Sequence, residues 1–221
     1  MPRKVTVVTE RGRLIVLEGI DGSGKSTQAA FLTEALSSRG VPVHYTREPT
    51  DGPIGSLIRQ SFNGRVDLDD RVIAALFVAD RIDHLTNRFD GILSLMASGV
   101  TVVSDRYYFS SHAYHSSDVD HKWIDSANSI STNLVRPDLT IFIDVDPVEA
   151  VKRLESGRTV RDRFEGEVRL RDARKNYLRA IREFGQGDNV WIVSGDQPAG
   201  LVAEAILRRV IEVMGIGSSS S

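Results

Sequence analysis

The run Gly19-Ile20-Asp21-Gly22-Ser23-Gly24-Lys25-Ser26 constrains this chain more than any other feature. It fits the pattern G-x-x-x-x-G-K-[ST] at every fixed position. Glycines let the backbone curl so tightly that successive N–H groups face one anion. A helix starting near Gly24 adds its unpaired N–H groups and the positive end of its dipole. Lys25 brings a mobile point charge suited to β- and γ-phosphates, and the Ser26 hydroxyl suits Mg²⁺. By composition alone, roughly one chain in a hundred of this length would match by accident. The setting, between a strand and a helix, lowers that further. The candidate ATP-binding set is therefore Gly19, Ile20, Asp21, Gly22, Ser23, Gly24, Lys25, Ser26 and the adjoining Thr27. The candidate metal ligand is Ser26, with Asp21 acting through water.

The flanking pattern says what carries this loop. Leu14–Glu18 (LIVLE) is short, apolar and β-branched, and ends at a glycine, as a buried strand would. Residues 25–38 place Ala29, Leu32 and Leu36 at helical spacing, with Gly40 just beyond as a stop. Residues 41–46, 100–104, 139–144 and 189–193 read as four more strands. Helical patterns lie between them, notably at 70–97, 147–155, 169–184 and 200–213. Strands apolar on both faces and separated by helices imply an α/β fold of three layers, with a central parallel five-stranded sheet and helices on both faces. Polar residues of interest follow strand ends, where such sheets bind ligands: 21–26, 47–51, 105–108, and Asp144 with Asp146. Residues 5–9 form another β-like run that would pair with the first strand as a hairpin.

Composition excludes several classes. The 221 residues contain no cysteine, so disulfides and thiolate chemistry are out. Five scattered histidines make no zinc set. A formal net charge of −2 gives no reason to expect nucleic acid or a membrane surface as partner. No apolar run approaches the roughly 20 residues that span a bilayer, and the first nine residues are too short and polar for a secretory signal. The expectation is a cytoplasmic protein with one domain over residues 1–217 and a disordered serine tail at 218–221. The loop establishes nucleotide binding as the expectation, not what is done with the nucleotide. No N-K-x-D run follows a later strand, which disfavours a guanine-nucleotide switch.

Four further segments, with the loop, make the chain resemble the thymidylate kinase family of nucleoside-monophosphate kinases. They are EGIDGSGKSTQ at 18–28, TREP at 46–49 with IGSLIR at 54–59, FVADR at 77–81, and DRYYFSSHAY at 105–114. RFE at 163–165, before a basic helix, resembles the end of the family's lid. The resemblance implies the P-loop NTPase fold, ATP as donor, Mg²⁺ as cofactor, dTMP as acceptor and a homodimer formed through helices such as that at 70–97. It implies that Asp21 accepts from the deoxyribose 3′-OH and that Arg106 clamps the acceptor's phosphate, with Arg47 close by. It implies that Phe77 stacks on thymine, Arg81 bonds a base carbonyl, Ser111 sits at the base edge and Tyr114 disfavours a ribose 2′-OH.

The residue types fit these roles independently. Arginine suits bidentate phosphate recognition. Phe77 and Arg81, four apart, share one helix face that a flat base could occupy. Each also has a plain structural alternative: Phe77 in the core, Arg81 paired with a carboxylate, Asp105-Arg106 as a solvated ion pair, Tyr114 as packing.

Arg158, Arg161 and Arg163 lie in a polar stretch at about 155–168 that suits a mobile lid. Ser23 stands where some family members carry a basic loop residue, so the resemblance implies that the lid supplies the arginine, with Arg158 and Arg163 the favoured pair. The catalytic set is then Lys25, Asp21, Arg106, Arg158 and Arg163. Arg153 is the candidate adenine contact, with the 194–197 loop beside it. Thr50-Asp51-Gly52 departs from the family's usual Gly-Gly, and Asp144 and Asp146 have no assigned role. The alternatives to dTMP phosphorylation are a kinase for another nucleotide or a nucleoside, and a nucleotide-dependent switch without acceptor.

Overall fold

A computed structural model describes residues 11–117, 119–157 and 166–216. Residues 5–9, the lid arginines 158, 161 and 163, and the serine tail lie outside the described residues.

Five strands form one sheet among the described residues: β1 (Leu14–Glu18), β2 (Val43–Arg47), β3 (Thr101–Asp105), β4 (Leu139–Asp144) and β5 (Val190–Ser194). Their order is β2-β3-β1-β4-β5, and every pairing is parallel. All five residues of β1 and of β3 are buried. Successive side chains of a strand point to opposite faces, so full burial means that helices cover both faces. The edge strands β2 and β5 are only partly buried. This is the three-layer α/β arrangement expected, with strand bounds shifted by one or two residues.

The first helix, α1 (Lys25–Ser37), buries Ala29, Leu32 and Leu36 as its spacing predicts. Next come α2 (Pro53–Phe62), α3 (Asp70–Thr86), α4 (Ile92–Ala97), α5 (Tyr108–His115) and α6 (His121–Leu134). The chain continues through α7 (Pro147–Gly157), α8 (Glu167–Phe184) and α9 (Ala199–Met214). Asp69 and Asp120 cap α3 and α6, accepting from the N–H groups of Arg71 and Lys122.

The single helix expected over 70–97 is two. Asn87 leaves the helical region at φ −55° and ψ 136°, while its N–H still bonds the Asp83 carbonyl. Its side-chain oxygen then accepts from the Phe89 N–H at 3.0 Å. That local bond competes with helix continuation, the usual effect of asparagine. Gly91 closes the turn so tightly that a Cβ there would lie 2.3 Å from the Asn87 carbonyl oxygen.

β1 has β3 on one side and β4 on the other, so the chain's connections diverge at its C-terminal end. Open parallel sheets bind ligands at such a point. The glycine loop leaves the sheet there.

Candidate active site

The loop after β1 runs into α1 through Gly24, which takes φ 93° and leaves the helix's first N–H groups open. Gly22 (φ 82°) packs so closely on α7 that a Cβ would sit 2.4 Å from the Ala150 carbonyl oxygen. Gly19, Ile20 and Ser23 build the curl, with Ile20 and Ser23 buried beneath it. Lys25 Nζ donates to the Ile20 carbonyl at 2.8 Å and lies 4.0 Å from Asp21 Oδ1. Burial, then the charge of Arg106, pulls its ammonium down to about 8. An anion in the curl would remove that penalty.

Ser26 Oγ donates to Asp105 Oδ2 at 2.5 Å. Asp105 closes β3, and its other oxygen, Oδ1, is buried and has no partner among the described residues. A hydroxyl and a carboxylate at the phosphate loop, one oxygen left over, make the hard-oxygen donor set that Mg²⁺ takes in P-loop proteins. The residues therefore fit the ion. Sequence reasoning had only half of this pair, although an apolar strand ending in Asp was the available signal.

Next in the chain, Arg106 has φ 80°, the sole described non-glycine residue at positive φ. Such backbone strain costs of order 1–3 kcal/mol and persists where surroundings enforce it. They do so here. Its Nη2 meets the Asp21 carboxylate, and its Nη1 donates to Ser110 Oγ at 3.1 Å and to the Tyr177 hydroxyl at 3.2 Å. The guanidinium also lies over the Tyr114 ring, 5.0 Å from its centroid. Behind it sits Glu18, fully buried. Glu18 Oε2 accepts from Ser110 Oγ at 2.7 Å and from the Tyr177 hydroxyl at 2.9 Å, and its Oε1 accepts from the Tyr107 N–H at 2.9 Å. Burial raises this carboxyl despite those bonds. Tyr177 stands 159 residues from Glu18 and carries no local motif, so sequence reading had no way to find it.

A cavity of about 630 Å³ joins the loop to a second chamber. Asp21, Gly22, Gly24, Lys25, Ser26 and Thr27 line one part, and Phe77, Ser111, Tyr114 and His115 another, with Asp105 and Arg106 also in the wall. The Tyr114 hydroxyl accepts from the Asp21 N–H at 3.0 Å, tying the two parts together. Phe77 packs against Phe62 and His115, with centroids 6.1 and 5.2 Å away.

Arg47 also lines the cavity, exposed and paired with Asp51 at 3.0 Å. Asp51 lies 3.4 Å from Arg59 as well, a lining residue that sequence reading left without a role. Arg59 Nη1 also donates to the Thr50 carbonyl at 2.5 Å. Thr50-Asp51-Gly52 is thus an anchored turn. Arg153 lines the cavity from α7 and donates to the Gly195 carbonyl at 3.1 Å, which draws it to the loop after β5.

Arg81 is more deeply buried than Phe77, four residues before it. It is buried, outside the cavity lining, and each of its nitrogens already has a protein acceptor. Nε donates to Glu48 at 2.9 Å, Nη2 to the Tyr107 carbonyl at 3.0 Å, and Nη1 to Ser111 Oγ at 2.9 Å and to Asn128 Oδ1. The guanidinium is thus held in place by Glu48, Tyr107, Ser111 and Asn128. Burial opposes the charge of Glu48, but Arg81 and His84 outweigh it and hold that carboxyl below its ordinary value. Asp144 and Asp146 find structural roles. Asp144 grips Arg174 through two bonds of 2.6 and 2.9 Å, and Asp146 accepts from the Val148 N–H at the start of α7.

A phosphate loop at the switch point of a parallel sheet, with an arginine-lined second chamber opening onto it, defines a P-loop phosphotransferase. The comparisons then narrow the class. The family model of thymidylate kinase matches residues 17–206. A probable thymidylate kinase of Pyrococcus horikoshii is 39% identical over 186 residues, covering 79% of this chain and 85% of that protein. One from Pyrobaculum calidifontis is 37% identical over 201 residues, covering 90% and 96%. A thymidylate kinase of Leptospira borgpetersenii is 35% identical over 172 residues, covering 78% and 82%. This chain belongs to the thymidylate kinase family.

Proposed function

We propose that this chain transfers the γ-phosphoryl group of ATP to the 5′-phosphate of dTMP, giving ADP and dTDP. The observation that carries this reading is one cavity with the phosphate loop in one part, an aromatic chamber in another, and Arg106 in the wall that both share. A phosphate oxygen of the acceptor attacks in line. It is already an anion, so no strong general base is needed. Catalysis is then positioning and charge neutralisation.

Each residue has a part in this scheme. The loop N–H groups and Lys25 hold the β- and γ-phosphates. Arg106 holds the acceptor phosphate, steadied by Asp21, Ser110 and Tyr177. Asp21 also meets the sugar 3′-OH, Tyr114 crowds the 2′ position, and Phe77 stacks on the base. Ser26 and Asp105 would hold Mg²⁺, which when bound spreads and neutralises the charge of the transferring phosphates. The lid arginines Arg158 and Arg163 close over the donor, and Arg153 borders the adenine.

The same reading takes the protein as one kinase domain over residues 1–217, cytoplasmic, working as a homodimer through helices such as α3. Mass measurement in solution tests the dimer. The reaction itself is tested by coupled ADP release with a panel of nucleoside monophosphates. Release stimulated by dTMP above all others supports the assignment. Equal release with and without an acceptor sinks it.

A further inference from the structure

Among the described residues, one imidazole of the aromatic chamber has no hydrogen-bond partner. His115, at the C-terminal end of α5, lines the cavity and is 4% exposed. Its ring tilts against Phe77 at 47°. Among the described residues neither ring nitrogen has a hydrogen-bond partner, neither is fully enclosed, and the residue lines the cavity. His112, one helical turn earlier, is the contrast. Its ring stacks on Phe184 at 5.0 Å, and its Nδ1 is buried away from any cavity contact. A polar group in such a wall is met by water, or by a ligand that displaces the water and takes over its hydrogen bond.

Two neighbours say what the ligand edge looks like. Arg81, with its nitrogens committed to protein acceptors, has no ready donor to offer. Ser111 Oγ accepts from Arg81 and, among the described residues, has no acceptor for its own proton. The chamber thus presents one hydroxyl donor and one imidazole. Neutral imidazole offers a donor on one nitrogen and an acceptor on the other.

We propose that His115 reads the hydrogen-bonding edge of the acceptor's pyrimidine, accepting from its imino N–H while Ser111 donates to the adjoining carbonyl. This rests on dTMP as acceptor with its base against Phe77. Burial, helped by the charges of Arg81 and Arg106, holds the ring at about 3, so it is neutral at working pH. Thymine and uracil carry an imino proton between two carbonyls. Cytosine carries a bare ring nitrogen beside an amino group, and both chamber groups would have to reverse to meet it. His115 is therefore a specificity-determining residue for the imino edge and is blind to the 5-methyl group.

His115→Phe keeps a ring against Phe77 and removes both nitrogens, whereas His115→Gln restores a donor and an acceptor. Steady-state kinetics with dTMP, dUMP and dCMP test the pair in the full chain. The Phe variant should raise KM for dTMP and dUMP alike by about 3–10-fold, the range for one neutral hydrogen bond. Its kcat and ATP KM should stay within about 2-fold of wild type. Its preference for dTMP over dCMP should narrow, and the Gln variant should recover most of it. Unchanged KM and preference in the Phe variant overturn the proposal, as does an effect on dTMP that spares dUMP. Should the Phe variant not fold, the ¹⁵N shifts of His115 in wild type decide, since addition of dTMP must move them. A wild-type enzyme that ignores dTMP and dUMP overturns the acceptor assignment as well, and does so before any variant is made.

Discussion

Ser26 Oγ lies 2.5 Å from Asp105 Oδ2, joining the end of the phosphate loop to the end of β3 across 79 residues of sequence. The parallel register brings the two segments to the same end of the sheet. Leu17 pairs with Asp105 across β1 and β3, so the two strands end side by side where the loop begins. Asp105→Asn keeps the shape and removes the charge. Half-saturation by Mg²⁺ should rise by roughly 10²-fold, the upper range for losing a partner of a metal site, with KM for dTMP within about 3-fold of wild type. A Mg²⁺ titration of initial rates checks it. An unchanged midpoint removes Asp105 from the metal site.

Arg106 separates backbone strain from side-chain function. Arg106→Ala and Arg106→Gly both delete the guanidinium, and both should lower kcat/KM for dTMP by about 10³-fold or more, as loss of a phosphate-clamping arginine does. Only glycine relaxes φ 80°. Arg106→Gly should therefore be more stable than Arg106→Ala by about 1 kcal/mol. Urea denaturation of the two inactive variants measures the difference. A more stable alanine variant would show that the positive φ carries no strain.

The parts of this fold that follow local rules can be read from sequence. β1 is legible because LIVLE is apolar on both faces, and the loop because its glycines serve one backbone shape. The break between α3 and α4 is not, since apolar residues continue at helical spacing through it and one asparagine side chain makes the stop. The site divides the same way. Lys25, Ser26 and Arg106 stand in motifs next to strand ends. Tyr177 and Glu18 meet only because α8 packs on α5, and Arg59 and His115 are ordinary helix residues until the chamber closes around them. Arg81 lies in a motif, yet its partners Glu48, Tyr107, Ser111 and Asn128 are not something spacing carries.

Tyr177 acts through Arg106, because its hydroxyl bridges that guanidinium and Glu18 at 3.2 and 2.9 Å. Tyr177→Phe leaves Glu18 with Ser110 and the Tyr107 N–H but frees Arg106 on one side. The cost in stability should be about 1–3 kcal/mol, the penalty for an under-satisfied buried acceptor. A filler of core space would stop there. A positioning residue should also lower kcat/KM for dTMP by roughly 10-fold while leaving KM for ATP unmoved. If both substrates suffer equally, Tyr177 is packing alone.

Acid should loosen this protein through its two buried histidines. Burial first, then the charge of Arg81, pulls His112 down to about 4 and His115 to about 3. In the unfolded chain both return to about 6.5. Between about pH 6.5 and those depressed values the unfolded state binds more protons, so stability falls as pH falls, by about 1.4 kcal/mol per unit for each ring. Glu18 works the other way, because burial raises its carboxyl and the folded form keeps that proton to higher pH. His115→Phe removes one histidine contribution and leaves Glu18 in place. At pH 4.5 it should spare about 2–3 kcal/mol of the acid loss, about 5–10 °C in Tm relative to the drop in wild type. Thermal melts from pH 7 to 4.5 check this. Parallel curves for the two proteins would mean that His115 takes up its proton in the folded state, with the chamber then holding a charged ring.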